Sequence, residues 1–494
     1  MKNALITAPL LFVVMSGATQ VMAQDTQDDR IRQLQTRMDE LKAQMTQLQA
    51  EIEAIHGVKD LSKAPQESVP KPLETGAIKR TMPPLPPAVQ LTPQQQQAAV
   101  SAETSEHATF LEESEPVPRL YNAPLEPTYP GFFVLPGTQT MMRLNGILKT
   151  DFIFDPRPAG VPDAFIPSSI PIPQEPSNQN FNSAVRESRV SVDLRIPVSK
   201  IGMARTFIQF DFFGANGATT PRLRHFYGQV HNILVGQTNT VFMDPDAWPD
   251  ILDFQGPTSG LLARPPQLRY SFLLGKGFSS AVSVEQPVSD IRFSVDGLPA
   301  NPTTPAPDSA IRLLYDSNRG HLYLASVFRD LAVRLPGGPQ ESTLGWGVNV
   351  SSTWRTFGKD TLNYQVAYGN GIARYTGDAA TLGLDAAPRA QTDLSLKALP
   401  TFAPWISYQH YWNKSVRSNA TFGWLQVQNT AFQPENTYHK SSYSSANIIW
   451  NAFGSLSFGA EFMYGWVREN GGATANAPRF QISGRYTFVK LHEE

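Results

Sequence analysis

The sequence predicts an all-β fold, a transmembrane antiparallel β-barrel of about sixteen strands, with an N-terminal coiled-coil helix ahead of it. Three observations carry that expectation. From about residue 140 onward apolar and polar residues alternate with period two, as in Leu144, Leu148, Phe152 and Phe154 against Arg143, Asn145, Lys149 and Asp151. Many such segments run ~10 residues or more, the length a tilted strand needs to cross a bilayer, against the ~5–6 usual in soluble sheets. Aromatics recur at segment ends, among them Trp346, Trp354, Tyr408, Trp412, Trp450, Tyr464 and Trp466, where interfacial girdles belong. A soluble β-sandwich would alternate too, but about 350 residues are too many for one sandwich core.

The front of the chain differs from this body. Before residue 131 the only aromatics are Phe12, Phe110, Tyr121 and Tyr129, and all eight Trp lie at or beyond Trp248. Residues 1–23 read as a signal peptide: Lys2, an apolar run from Ala8 to Met15, then Val21-Met22-Ala23 as the small-residue cleavage site before Gln24. The apolar run is far shorter than the ~20 residues of a transmembrane helix. Residues 24–57 carry Ile31, Leu34, Met38, Leu41, Met45, Leu48, Ile52 and Ile55 at alternating spacings of three and four, the seam of a short coiled coil that is stable only when associated. After export that helix belongs in the periplasm. Residues 58–130, with Pro83-Pro84 and Pro86-Pro87 and the run Gln94-Gln95-Gln96-Gln97, have too little apolar surface to offset ordering and read as an extended linker. Residues 131–494 are the barrel.

Composition narrows the function. Forty-one Lys and Arg balance 43 Asp and Glu to a formal net charge of −2, so no nucleic-acid partner is indicated. Cysteine is absent, which excludes disulfides, thiolate metal sites and thiol catalysis. The Gly-x-Ser-x-Gly elbow, the Walker loop and His-Glu-x-x-His do not occur. No enzyme activity, cofactor or metal is expected.

The alternation assigns an inward set. Arg143, Lys149, Arg189, Arg195, Arg205, Arg269, Arg355 and Arg485 fall on the polar face as candidate pore-lining residues, with Arg479 beside them and fewer acids, Asp151, Glu187, Asp193, Asp211, Glu285 and Glu461. Clustered guanidiniums in a pore would select anions. Paired with those acids they would instead brace the wall, and the sequence leaves both readings open. The stretch from Asp244 through Asp246, Asp250 and Asp253 interrupts the alternation. It lacks the glycine and terminal glutamate of a calcium loop, so it reads as a loop folded into the barrel, narrowing the pore with Asp244, Asp253 and the nearby Arg264. The Pro-rich stretches 156–182 and 298–308 read as extracellular loops.

Several stretches resemble the DcaP-like outer-membrane porins. These are Ser188-Arg189-Val190-Ser191-Val192-Asp193-Leu194-Arg195, Arg205 through Gly214, Leu223-Arg224-His225-Phe226-Tyr227-Gly228-Gln229, and Phe242-Met243-Asp244-Pro245-Asp246 on to Pro257. That resemblance implies a sixteen-stranded homotrimeric porin of the Gram-negative outer membrane, held together through coiled coil and barrel. It also implies uptake of small anionic solutes such as dicarboxylates, with Arg189, Arg205 and Arg269 facing the lumen. The chain departs from the usual barrel ending, since Phe488 is followed by six further residues. A phosphate-selective porin, which needs a denser arginine ladder at one height, and a structural tether between outer membrane and cell wall are the alternatives.

Overall fold

The computed structural model describes residues 132–174, 178–198 and 202–488; the expected signal peptide, coiled coil and linker lie outside the described residues. Sixteen antiparallel strands close on themselves. β1 (Met141–Asp155) pairs with an interrupted β2, made of Asn180–Ala184 and Arg189–Val198. Then follow β3 (Gly202–Phe213), β4 (Thr219–Val230), β5 (Ile233–Gln237), β6 (Pro266–Gly275) and β7 (Phe278–Glu285). β8 (Asp308–Ser317), β9 (Gly320–Arg334), β10 (Gln340–Arg355) and β11 (Thr361–Asn370) continue the sheet, and β12 (Pro400–Tyr411), β13 (Val416–Val427) and β14 (Tyr438–Phe453) extend it. β15 (Leu456–Glu469) and β16 (Thr474–Phe488) bring it back to β1, where Gly146 to Phe154 register against Phe488 to Phe480.

Closure matters because an open edge in lipid would leave a row of backbone groups without partners. The burial pattern is that of a soluble protein turned inside out. Leu148, Phe152, Val190, Phe226, Leu268, Phe328, Ile406, Phe462 and Ile482 are exposed on the outer wall. Their inward neighbours Lys149, Asp151, Asp193, Arg269, Asn349, Gln365, Glu461 and Gln481 are buried. Short turns join the strands at one end and long loops at the other, which sets the loop end outside the cell.

Three of those loops fill part of the lumen. L1 (156–179) follows β1, L3 (238–265) follows β5 and L6 (371–399) follows β11. Together they supply the apolar core: Phe165 and Ile170 from L1, Phe242, Trp248, Ile251 and Leu261 from L3, and Ile372, Tyr375 and Leu384 from L6. Small wall residues, including Ala325, Ala367, Ala403 and Ala477, receive them. L3 and L6 run against each other through Leu262 N–H to Tyr375 O (2.7 Å) and Gly377 N–H to Gly260 O (2.8 Å). Asp378 of L6 accepts from the Ser168 N–H of L1 (2.9 Å) and the Thr258 hydroxyl of L3 (2.6 Å), so one carboxylate fastens all three.

The wall is notched where L3 lies against it. A Cβ at Gly459 would come within 2.9 Å of Leu252 Cδ2, and one at Gly423 within 2.9 Å of Pro257 Cβ. Gly459→Val therefore leaves the strand ladder intact and pushes Leu252 away. Overpacking of this kind costs about 1–3 kcal/mol. The expected outcome is a barrel that still shows heat-modifiable migration on gels, with a lower denaturation midpoint and a larger single-channel conductance than the parent.

A candidate pore and its constriction

L3 is irregular backbone packed against the inner wall, so each polar group buried between them needs a partner. The wall supplies them strand by strand. Glu285 on β7 accepts from the Thr240 hydroxyl (2.6 Å) and Val241 N–H (2.9 Å). The Tyr323 hydroxyl on β9 sits 2.7 Å and 2.8 Å from the carbonyls of Val241 and Met243. On β10, Asn349 donates to Phe242 O (3.0 Å) and Thr353 to Asp246 O (2.8 Å). Asn447 on β14 donates to Asp250 O at 2.7 Å. Glu461 on β15 accepts both Leu252 N–H (2.6 Å) and Asp253 N–H (3.0 Å), while Lys149 and Gln481 donate to Leu252 O. On its return L3 meets Gln365 of β11 through Ser259 O (2.9 Å) and Leu261 N–H (3.3 Å).

Three of the L3 carboxylates, Asp244, Asp250 and Asp253, are spent on the same fastening. Asp244 takes His321 Nε2 (2.8 Å), the Ser351 hydroxyl (2.7 Å) and its own Asp246 N–H (3.1 Å), which starts a short turn. Asp250 is ion-paired to Arg417 and accepts from Gln409 (2.8 Å). Asp253 accepts the N–H groups of Phe165 and Gly256, both at 2.8 Å. Burial pushes its carboxyl up to about 6, against the lowering pull of those two donors.

The facing wall, β1 to β8, carries guanidiniums in groups. Near the loop end, Asp211 on β3 pairs with Arg222 and Arg224 of β4 (2.5 and 2.9 Å), and the charge of Arg264 at the end of L3 reaches it as well. Burial and then the charges of Arg224 and Arg222 depress the basicity of Arg264, so an anion beside it would lower its free energy. Midway, Arg189 lies within electrostatic reach of Glu187 and Asp211 as well as of Arg264 and Arg485, and Arg269, which donates to Asn239 O of L3, within reach of Arg312 and Glu285. The buried Nε atoms of Arg264 and Arg312 have no hydrogen-bond partner among the described residues. Near the turn end, Asp193 faces Arg143 (3.6 Å), Arg195 (3.1 Å) and Arg205 (2.9 Å), with the Phe132 ring under Arg143 and Arg195. Asp193 and Asp211 thus each meet more positive charge than they neutralise.

Of the residues singled out by alternation, the structure brings Arg143, Arg189, Arg195, Arg205 and Arg269 onto this wall, and Arg264 at the end of L3 lies within electrostatic reach of it. Lys149 is elsewhere: fully buried between Asp151 and Glu187, it holds L3. Arg479 is ion-paired to Asp155 and Arg355 is half-buried at the turn end of β10. Asp244 and Asp253 are on the infolded loop, bonded to the barrel and to L1. Sequence reasoning missed Arg222 and Arg224. The ladder of β3 and β4 slips between Gln209–His225 and Phe210–Leu223, so Arg224 is an extra residue, and the slip turns both arginines toward Asp211. Strict alternation would point Arg224 at lipid. A bulge leaves no signal in the period-two pattern beyond an arginine in a lipid-facing register.

A barrel that shows lipid an apolar wall and keeps its charge for a lumen narrowed from within is built to pass solutes, so the protein is a porin of the outer membrane. The chain belongs to the DcaP outer membrane protein family, which matches residues 134–488. The outer membrane channel DcaP of Acinetobacter baumannii is similar in fold, with a TM-score of 0.62 at 19% identity over 72% of this chain and 99% of that one. OmpT of Vibrio cholerae (TM-score 0.44, 12% identity, 72% of this chain and 100% of that one) and an anion-selective porin from Comamonas acidovorans (0.47, 10%, 71% and 100%) are more distant. No curated protein sequence matches the chain.

Removing one member of a buried ion pair leaves an uncompensated charge and costs about 3–5 kcal/mol. Arg417→Ala strands Asp250 in this way. The expected outcome is a loosened L3, read as noisy conductance with frequent transitions to a wider level, while the strand content by circular dichroism stays that of the parent.

Proposed function

We propose that this porin lets small organic anions, dicarboxylate-like in charge and size, diffuse through a water-filled passage between L3 and the arginine wall. The surplus of guanidinium over carboxylate around Asp211 and Asp193 carries this reading. Fixed positive charge in a low-dielectric channel raises the local anion concentration, and a guanidinium donates two hydrogen bonds at a time to a carboxylate. Arg143, Arg189, Arg195, Arg205, Arg269 and Arg485 supply the charge that the passing solute would feel, joined by Arg222, Arg224 and Arg264. Lys149 and Arg355 have weaker support, since the first is sealed behind L3. Distribution along the strands favours carboxylates over phosphate, because a phosphate filter concentrates its arginines at one height. Homotrimer assembly through barrel and coiled coil remains part of the proposal, resting on the heptads of residues 24–57.

Reversal potential in a planar bilayer under a KCl gradient tests it, with and without a dicarboxylate. The purified protein should be anion-selective, in steps arriving in threes that the dicarboxylate blocks. Arg224→Gln combined with Arg264→Gln should lower the chloride-over-potassium permeability ratio by about tenfold and abolish the block. A silent or cation-selective bilayer would sink the proposal.

A further inference from the structure

The outer wall also carries charge, in one place on β13 to β15. At the loop end of these strands the outward positions form rows across the sheet. Gln426, Lys440 and Arg468 are in register in one row, and Trp424, Ser442 and Trp466 in the next row toward the membrane centre. The two indoles meet across the small Ser442, ring centroids 5.9 Å apart and nearly parallel at 20°. Lys440 Nζ lies 5.5 Å over the Trp424 ring, and Arg468 is exposed. His439, one residue earlier in a bulge of β14, is pinned by its Nδ1 to Val427 O and Asn429. Among the described residues no carboxylate is ion-paired to Lys440 or Arg468, although Glu435 and Glu469 share this rim. At the opposite end the outward positions of β14 and β15 are Trp450, Leu456 and Phe458, which are apolar or aromatic.

We propose that Lys440 and Arg468, seated on the Trp424–Trp466 pair, form a binding site for the phosphate of a phosphorylated glycolipid in the outer leaflet. Tryptophans mark the depth at which headgroups begin, and the two cations stand one row above them, at the level of headgroup phosphate. A lysine and an arginine opposite each other in register offer a point charge and a two-pronged donor to the same phosphate. The indoles and the row below them, Phe422, Ser444 and Tyr464, give the acyl chains a shallow channel between aromatic ridges. Charge complementarity selects the occupant: a second copy of this face would bring like charges together.

Native mass spectrometry of the purified full-length protein tests this, using bisphosphorylated lipid A and its fully dephosphorylated counterpart in detergent micelles. The parent should retain the bisphosphorylated lipid, and Lys440→Gln with Arg468→Gln should retain it about tenfold less. The dephosphorylated lipid should bind both forms equally weakly. Heat-modifiable migration and ion selectivity of the double variant should match the parent, since neither side chain faces the lumen. Equal retention of the phosphorylated lipid by both forms would overturn the proposal. So would displacement by millimolar inorganic phosphate, which would make the ligand free phosphate. Cross-linking between copies through Ser442→Cys in the native membrane would overturn it as well, because protein would then cover the face.

Discussion

Irregular backbone inside a barrel is tolerated only where every N–H and carbonyl finds a partner, and in this porin that requirement falls on L3. Its path past β7 and β9 to β16 dictates what those strands point inward. The residues there are short or medium polar side chains with defined geometry: Tyr323, Asn349, Thr353, Gln365, Gln409, Asn447, Glu461 and Gln481. None of them is available to a solute, because each already bonds the loop. An unmet donor or acceptor in such a place costs about 1–3 kcal/mol, so the wall and the loop form one fitted unit.

The other half of the barrel bonds L3 only over its first residues, through His225, Gln267, Arg269 and Glu285, and its remaining inward positions can hold charge. The groups around Asp211 and Asp193, with Arg189, Arg269 and Arg312 between, keep a positive surplus along the path from loops to turns. Three carboxylates of L3, Asp244, Asp250 and Asp253, could have cancelled it across the lumen. They do not, because Asp244 is bonded to His321 and Ser351, Asp250 to Arg417, and Asp253 to backbone N–H groups of L1 and L3. Fastening the loop and preserving the field of the opposite wall are thus two effects of the same bonds.

Much of this was legible in the sequence. Alternation identified the outward faces of β1, β2 and β16, and the clustered aspartates of 244–253 marked the loop that turns inward. The infolding of L6 was not visible, since its apolar residues Ile372, Tyr375 and Leu384 follow no period and find partners only in other loops. The roles of Lys149 and Arg479 were not visible either: inward position was read correctly, but whether an inward charge meets a solute or a loop depends on contacts made hundreds of residues away. Arg222 and Arg224 were hidden by a single unpaired residue, which shifts every assignment beyond it.

The bonds that seat L3 also impose an order in time. The loop lies in the first half of the barrel, yet its partners Gln409, Arg417, Asn447, Glu461 and Gln481 belong to the last strands. Until β12 to β16 are in register, Leu252 and Asp253 have no Glu461 to meet, and Asp250 has no counter-ion. A half-assembled barrel therefore holds an unanchored loop and a wide opening. The passage reaches its working width only when β16 joins β1, so the event that seals the wall against lipid is the same one that sizes the channel.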